Sequence, residues 1–191
     1  MKRFLSSIVS AALLTAVCAG CSFFPQNPGK SFSQCQKEVE ELALTQGYSV
    51  QETFDENLDD SSSCKDLMIH PDSESEIFLR LAYSGKDHKD LAETFELIYT
   101  LQGQGTEFDL QLFTELSSFL SGESLTDSFC REFIQAPEKQ YSPEKYGFSK
   151  TEEMSQYKLF YPDFMQEHCL SYTLYEDGTS ELAFIGTVGD S

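Results

Sequence analysis

Four cysteines, Cys35, Cys64, Cys130 and Cys169, and three histidines, His70, His88 and His168, are the side chains of this sequence best suited to redox, metal or nucleophilic chemistry. An even set of cysteines in an exported chain reads as two disulfides. Zinc would need tighter spacing: no Cys-x-x-Cys and no close His pair is present to seed a tetrahedral site, so no metal is expected. Asp55, Asn57, Asp59, Ser61, Ser63 and Asp66 stand at the ligand positions of a twelve-residue calcium loop. Asp60 replaces the glycine of its sharp turn, Ser62 replaces its apolar residue and Asp66 is shorter than the bidentate glutamate, so the stretch reads as an acidic surface loop. The sequence has no Gly-x-Ser-x-Gly elbow, no His-Glu-x-x-His helix and no phosphate-cradling glycine loop. His70 and His168 border strands and His88 sits in the charged stretch Lys86-Asp87-His88-Lys89-Asp90, so none is assigned as a general base; no catalytic residue and no cofactor is expected. Tyr141, Tyr146, Phe148, Tyr157, Phe160, Tyr161 and Phe164 crowd a loop-rich segment, where they complete a core or offer a partner or glycan surface.

Where these side chains work is set by the first 21 residues. Lys2 and Arg3 give a positive start, Phe4 to Val17 is apolar apart from Ser6, Ser7, Ser10 and Thr15, and Cys18-Ala19-Gly20-Cys21 closes the run. That is the layout of a secretory signal, too short for a settled transmembrane helix. Small residues immediately before a cysteine resemble the lipobox of bacterial lipoproteins. The resemblance implies that Cys21 is acylated on its thiol, that residues 1–20 are a signal peptide removed before it, and that 21–31 form an acylated tether. Val17 is too bulky to precede a modified Cys18, and Cys18 itself stands where the family usually has leucine. Ser22 to Lys30, with Pro25, Asn27, Pro28 and Gly29, reads as the spacer off the bilayer.

Removal of residues 1–20 leaves 171 residues, enough for one domain with a hydrophobic core over 32–191. This remainder carries 11 basic and 32 acidic side chains. Such a charge repels nucleic acid and anionic lipid, so acyl chains must hold the domain at the membrane. A basic protein partner or another envelope component suits the charge.

Cys35, Val39, Leu42 and Ala43 recur at helical spacing, with Ser33 as N-cap and Gly47 as stop. Tyr48, Val50 and Phe54 suggest a short strand. Two further strands are expected over 66–70 and 76–84, where Ile77, Leu79, Leu81 and Tyr83 alternate. Leu91, Ala92, Phe95, Ile98 and Tyr99 fit a helix over 87–102. A second starts at Thr106 with Asp109 and runs through Leu112, Phe113, Leu116, Phe119 and Leu120 to Gly122; a third opens at Ser124 with Asp127. Residues 136–147 read as a loop, 149–161 as helix or strand, and 168–175 with 180–188 as a hairpin around Asp177-Gly178.

The first and last thirds of the domain look like copies of one unit, 32–85 and 126–190. Cys35 falls on Cys130 and Gly47 on Gly147, and an offset of 105 lays Cys64 on Cys169, Asp72 on Asp177 and Glu76 on Glu181. Local closure favours bridges Cys35–Cys64 and Cys130–Cys169, each stapling a helix to a strand for roughly 3 to 4 kcal/mol in the chain-entropy account. The expected fold is α+β: two related helix-plus-β-hairpin units with two central helices packed on an antiparallel sheet. The functional expectation is a lipid-anchored binding or interaction module on the extracytoplasmic face of the cell membrane, without catalysis. An envelope hydrolase is the alternative.

Overall fold

Period-two alternation governs more of this chain than helical periodicity does. The computed structural model describes residues 30–57, 62–84, 91–102, 107–135, 146–151, 153–160 and 168–189. The described residues contain strands β1 (Val50–Asn57), β2 (Ser62–Ile69), β3 (Ser75–Ser84), β4 (Thr94–Leu101), β5 (Tyr146–Lys150), β6 (Met154–Phe160), β7 (Cys169–Tyr175) and β8 (Ser180–Thr187). With them come helices α1 (Phe32–Thr45), α2 (Leu110–Ser121) and α3 (Asp127–Gln135). The eight strands form one antiparallel sheet in the order β1-β2-β3-β4-β8-β7-β6-β5. Two four-stranded meanders therefore meet at a seam where β4 pairs with β8, Thr94 opposite Thr187 and Leu101 opposite Ser180.

The helices cover one face. Leu67 and Ile69 of β2, Ile77, Leu79 and Leu81 of β3, and Leu97 and Leu182 across the seam are fully buried. They meet Cys35, Val39 and Ala43 of α1, Leu110, Phe113, Leu116 and Leu120 of α2, and Cys130 and Phe133 of α3 in one continuous core. Aromatic pairs fill the core beside the seam: Tyr99 meets Phe108 edge-on with centroids 5.0 Å apart, and Phe95 lies 5.6 Å from Phe184 on the neighbouring strand.

Local chemistry explains where the helices begin and stop. A capping box opens α1, with the Gln34 amide donating to Ser31 Oγ at 3.2 Å and the Ser31 amide to Gln34 Oε1 at 3.0 Å. Ser31 thus takes the role expected of Ser33. Asp109 rather than Thr106 caps α2, and Gly122, left-handed at φ 72°, ends it as expected. The Phe129 amide reaches Thr126 Oγ1 at 3.4 Å at the start of α3, and Thr114 of α2 donates to Asp127 at 2.6 Å, tying the two helices. Gly189, just after β8, is fastened to α2: its amide donates to the Leu120 carbonyl at 2.7 Å, and a Cβ there would collide with the Ser121 carbonyl.

The expected architecture of two hairpin units with two central helices is corrected. The segment expected as a helix over 87–102 contains β4, the strand that carries the seam. Its Phe95, Ile98 and Tyr99 suit a helix face, but Phe95, Leu97, Tyr99 and Leu101 also alternate and are the ones buried. Aromatic and β-branched residues at Thr94, Phe95, Ile98, Tyr99 and Thr100 favour the strand. The unit boundaries change with it: each half is a helix followed by four strands, so the first unit continues past 85 to Leu101. The 105-residue offset lays β2–β3 on β7–β8, whereas β3 and β7, and β4 and β8, stand equally far from the seam. That hairpin alignment is one strand out of step. Leu174 shows the difference, being 41 % exposed where its aligned Ile69 is fully buried.

Candidate functional site

Alternation decides where each residue singled out in the sequence points. Cys35 and Cys130 are buried among the core side chains between helices and sheet. Cys64 lies opposite Ala82 and is two residues from Asp66, and Cys169 lies opposite Ile185 and is two residues from Ser171. Both therefore alternate away from the core residues Leu67, Leu170 and Tyr172 and stand on the far side of the sheet from their helical counterparts. The expected Cys35–Cys64 and Cys130–Cys169 bridges are not formed, and none of the four cysteines is joined in a disulfide. Burial pushes the Cys35 thiol up to about 11 and that of Cys130 up to about 12, so both stay protonated and unreactive at neutral pH.

His168 belongs to the aromatic core. Its ring stacks on Phe184 with centroids 5.5 Å apart, and Nε2 donates to the Thr187 carbonyl at 3.1 Å. His70 is exposed after β2. His88, Cys21 and the whole segment 1–29 lie outside the described residues. The calcium-like stretch is split between two paired strands, with Asn57 of β1 opposite Ser63 of β2; residues 58–61 lie outside the description. Among the described residues no group of three His, Cys, Asp or Glu is placed to hold a metal ion. Of the aromatic segment, Tyr157 packs against the core and pairs across strands with Phe148 and Tyr172. Tyr146, Phe148 and Phe160 belong to β5 and β6, while Tyr141, Tyr161 and Phe164 fall outside the description.

Charged chemistry gathers instead on the helix-free face, around the seam. One cross-strand row runs Asp66, Arg80, Glu96, Ile185. The next is Met68, Phe78, Ile98, Ala183, and the third holds Glu76, Thr100, Glu181 and Thr173. An apolar band is thus flanked by carboxylates. Arg80 is committed to Asp66 through two parallel bonds, Nε to Oδ1 at 2.9 Å and Nη2 to Oδ2 at 2.8 Å. That bonding, and the Asp66 and Glu96 charges beside it, hold the guanidinium pKa above its ordinary value. Glu181 accepts the Tyr175 hydroxyl at 2.8 Å. Oε1 of Glu96, by contrast, is buried and has no hydrogen-bond partner. Burial raises the Glu96 pKa; Arg80 opposes the shift, while Asp66 and Glu181 reinforce it. Burial likewise raises Glu181, with the Tyr175 bond opposing and Glu76 reinforcing.

A smaller concavity, about 180 Å³, opens on the other side between α3 and the second meander, floored by Phe108, Ile134 and Tyr172 with Glu107 and Arg131 at its rim. It falls below the size of ordinary ligand pockets.

Sequence reasoning missed Glu96 because its strand was read as a helix, and it noted Glu181 only as the partner of Glu76 in an alignment. The available signal was an acid between inward-facing positions of an alternating strand, Phe95-Glu96-Leu97 and Ser180-Glu181-Leu182, the latter with a polar Ser180. No family model, no curated protein and no solved structure matches the chain. Among the described residues no helix is long and apolar enough to cross a membrane.

The raised carboxyls make a pH prediction. Between the ordinary glutamate value and the raised one, the folded chain binds more protons than the unfolded chain, so stability falls as pH rises through that window. Thermal melts should therefore show a higher midpoint near pH 5 than at pH 7. Glu96→Gln should stabilise the pH 7 protein by about 1 kcal/mol and shrink the gain on acidification. A less stable variant with an unchanged acid response would refute this account of Glu96.

Proposed function

We propose that this chain is a lipid-anchored module on the extracytoplasmic face of a cell membrane, and that it binds a partner through the helix-free face at the β4–β8 seam. The observation that carries the partner surface is Glu96, a carboxylate set in the middle of the sheet with its Oε1 buried and without a donor. A buried acceptor left open lowers stability, and a ligand that supplies the donor recovers what the free protein lacks. The neighbouring band of Met68, Phe78 and Ile98, each half-buried, gives such a ligand apolar contact.

Anchoring rests on the signal-like stretch ending in Cys21. The tether's root suits this display. Lys30 donates through Nζ to the Phe119 carbonyl of α2 at 2.8 Å and lies over the Phe119 ring at 3.9 Å, on the helix layer and so opposite the seam face. The test is to express the full chain in a bacterium with labelled palmitate and to separate membrane from soluble fractions. Wild-type chain should be labelled and sediment with membranes, Cys21→Ser should lose both properties, and Cys18→Ser should lose neither. A wild-type chain that stays soluble and unlabelled, or one whose label is lost only with Cys18→Ser, overturns the anchor.

A further inference from the structure

We infer that the occupant of the seam face is an extended cationic segment of the pattern basic–x–apolar–x–basic, lying along β4 and β8; this rests on the reading of that face as a partner surface. Charge sets the sign. The face presents Asp66, Glu76, Glu96 and Glu181, and its Arg80 is already bonded twice to Asp66. The whole chain carries a formal net charge of −19. An anionic ligand would be repelled by these carboxylates, whereas a lysine or arginine is drawn to them and pairs with the Glu96 carboxylate through a charge-assisted bond, stronger than one from a neutral donor.

Spacing sets the conformation. Glu96, Ile98 and Thr100 follow one another at two-residue steps on the helix-free side of β4, and Thr100 lies opposite Glu181 on one neighbour and Glu76 on the other. The carboxylate of Glu96 and the Glu76–Glu181 pair are therefore four strand residues apart, about 13 Å along the strand direction. Two side chains four residues apart in an extended ligand span the same length, while four residues of helix rise only about 6 Å. The residue between them then falls on the band of Phe78, Ile98 and Ala183. One basic side chain reaches Glu96, the other enters between Glu76 and Glu181 above Thr100, and the central apolar residue covers Ile98.

The experiment titrates the full chain in zwitterionic detergent with three blocked peptides: Lys-Thr-Val-Thr-Lys, its counterpart Glu-Thr-Val-Thr-Glu, and the scramble Lys-Lys-Thr-Thr-Val. Calorimetry should detect the first binding at least about tenfold tighter than the other two, with affinity falling steeply as salt is raised. Glu96→Gln with Glu181→Gln should weaken that binding about tenfold or more. Thr100→Lys, which places a cation between the two glutamates of its row, should abolish it, and thermal melts of each variant report whether the fold is intact. If the acidic or scrambled peptide binds equally well and Thr100→Lys still abolishes binding, the cationic pattern is wrong while the face remains a binding surface; if binding survives in all the variants, the face itself is wrong. If none of the three binds to the intact protein, both the pattern and the seam face as partner surface are wrong.

Discussion

Alanine at Leu97 should cost about 3 kcal/mol of stability, and alanine at the adjoining Ile98 less than about 1 kcal/mol. Leu97 is fully buried in the middle of β4, in register with Leu79 on one side and Phe184 on the other, so truncation leaves a cavity whose walls belong to three strands and cannot collapse. Ile98 lies on the helix-free side and is only half-buried. Urea denaturation gives the comparison directly: the midpoint of Leu97→Ala should fall sharply with little change in slope, and that of Ile98→Ala should hardly move. The same pair discriminates strand from helix for this segment. A helix packed on the sheet through Phe95, Ile98 and Tyr99 would reverse the order of the two costs.

Removing Arg80 should be the second large perturbation. The Asp66 side chain is 8 % exposed and relies on a guanidinium that is 33 % exposed, so Arg80→Met strands a buried carboxylate. Full burial of such a pair would put the loss at about 3 to 5 kcal/mol; the partial exposure of Arg80 lets water reach the site, and about 2 to 3 kcal/mol is expected. Because the cost comes from the stranded charge rather than from the missing attraction, adding Asp66→Leu to Arg80→Met should restore most of it. Chemical denaturation of both single variants and the double variant measures this. A single Arg80→Met variant within about 0.5 kcal/mol of wild type would mean that Asp66 is solvated well enough without its partner.

The β-hairpins were legible because turn chemistry and alternation agreed: Asp177-Gly178 gave β7–β8, with Gly178 at φ 86°, and Ile77, Leu79 and Leu81 gave the core face of β3. Helices α2 and α3 were legible for the same reason, since Asp109, Gly122 and Asp127 mark their ends and one apolar face runs between. β4 was not, because eight residues of Thr-Phe-Glu-Leu-Ile-Tyr-Thr-Leu satisfy both periods and only the neighbouring strands decide between them. The cysteine pairing failed for a related reason. Spacing in sequence says how long a loop would be, but the face on which Cys64 and Cys169 emerge depends on strand register, which sets them across the sheet from Cys35 and Cys130. The seam face was invisible for a third reason: Glu96 and Glu181 become neighbours only when the two meanders join.

The palindromic strand order has a consequence for how the molecule is made. A chain that emerges N-terminus first can complete β1 to β4 and cover them with α1, yet the free side of β4 has no occupant until β8, the last of the described strands, arrives. Until then the nascent protein holds a long, apolar, unprotected border, the kind that recruits stray strands from other molecules. The finishing contacts sit beyond it, where the amide of Val188 reaches the Glu93 carbonyl at 2.9 Å and that of Gly189 reaches α2. Val188 and Gly189 thus fasten β8 beside β4 and onto α2, and a chain stopped between β4 and β8 leaves the free side of β4 without its partner strand.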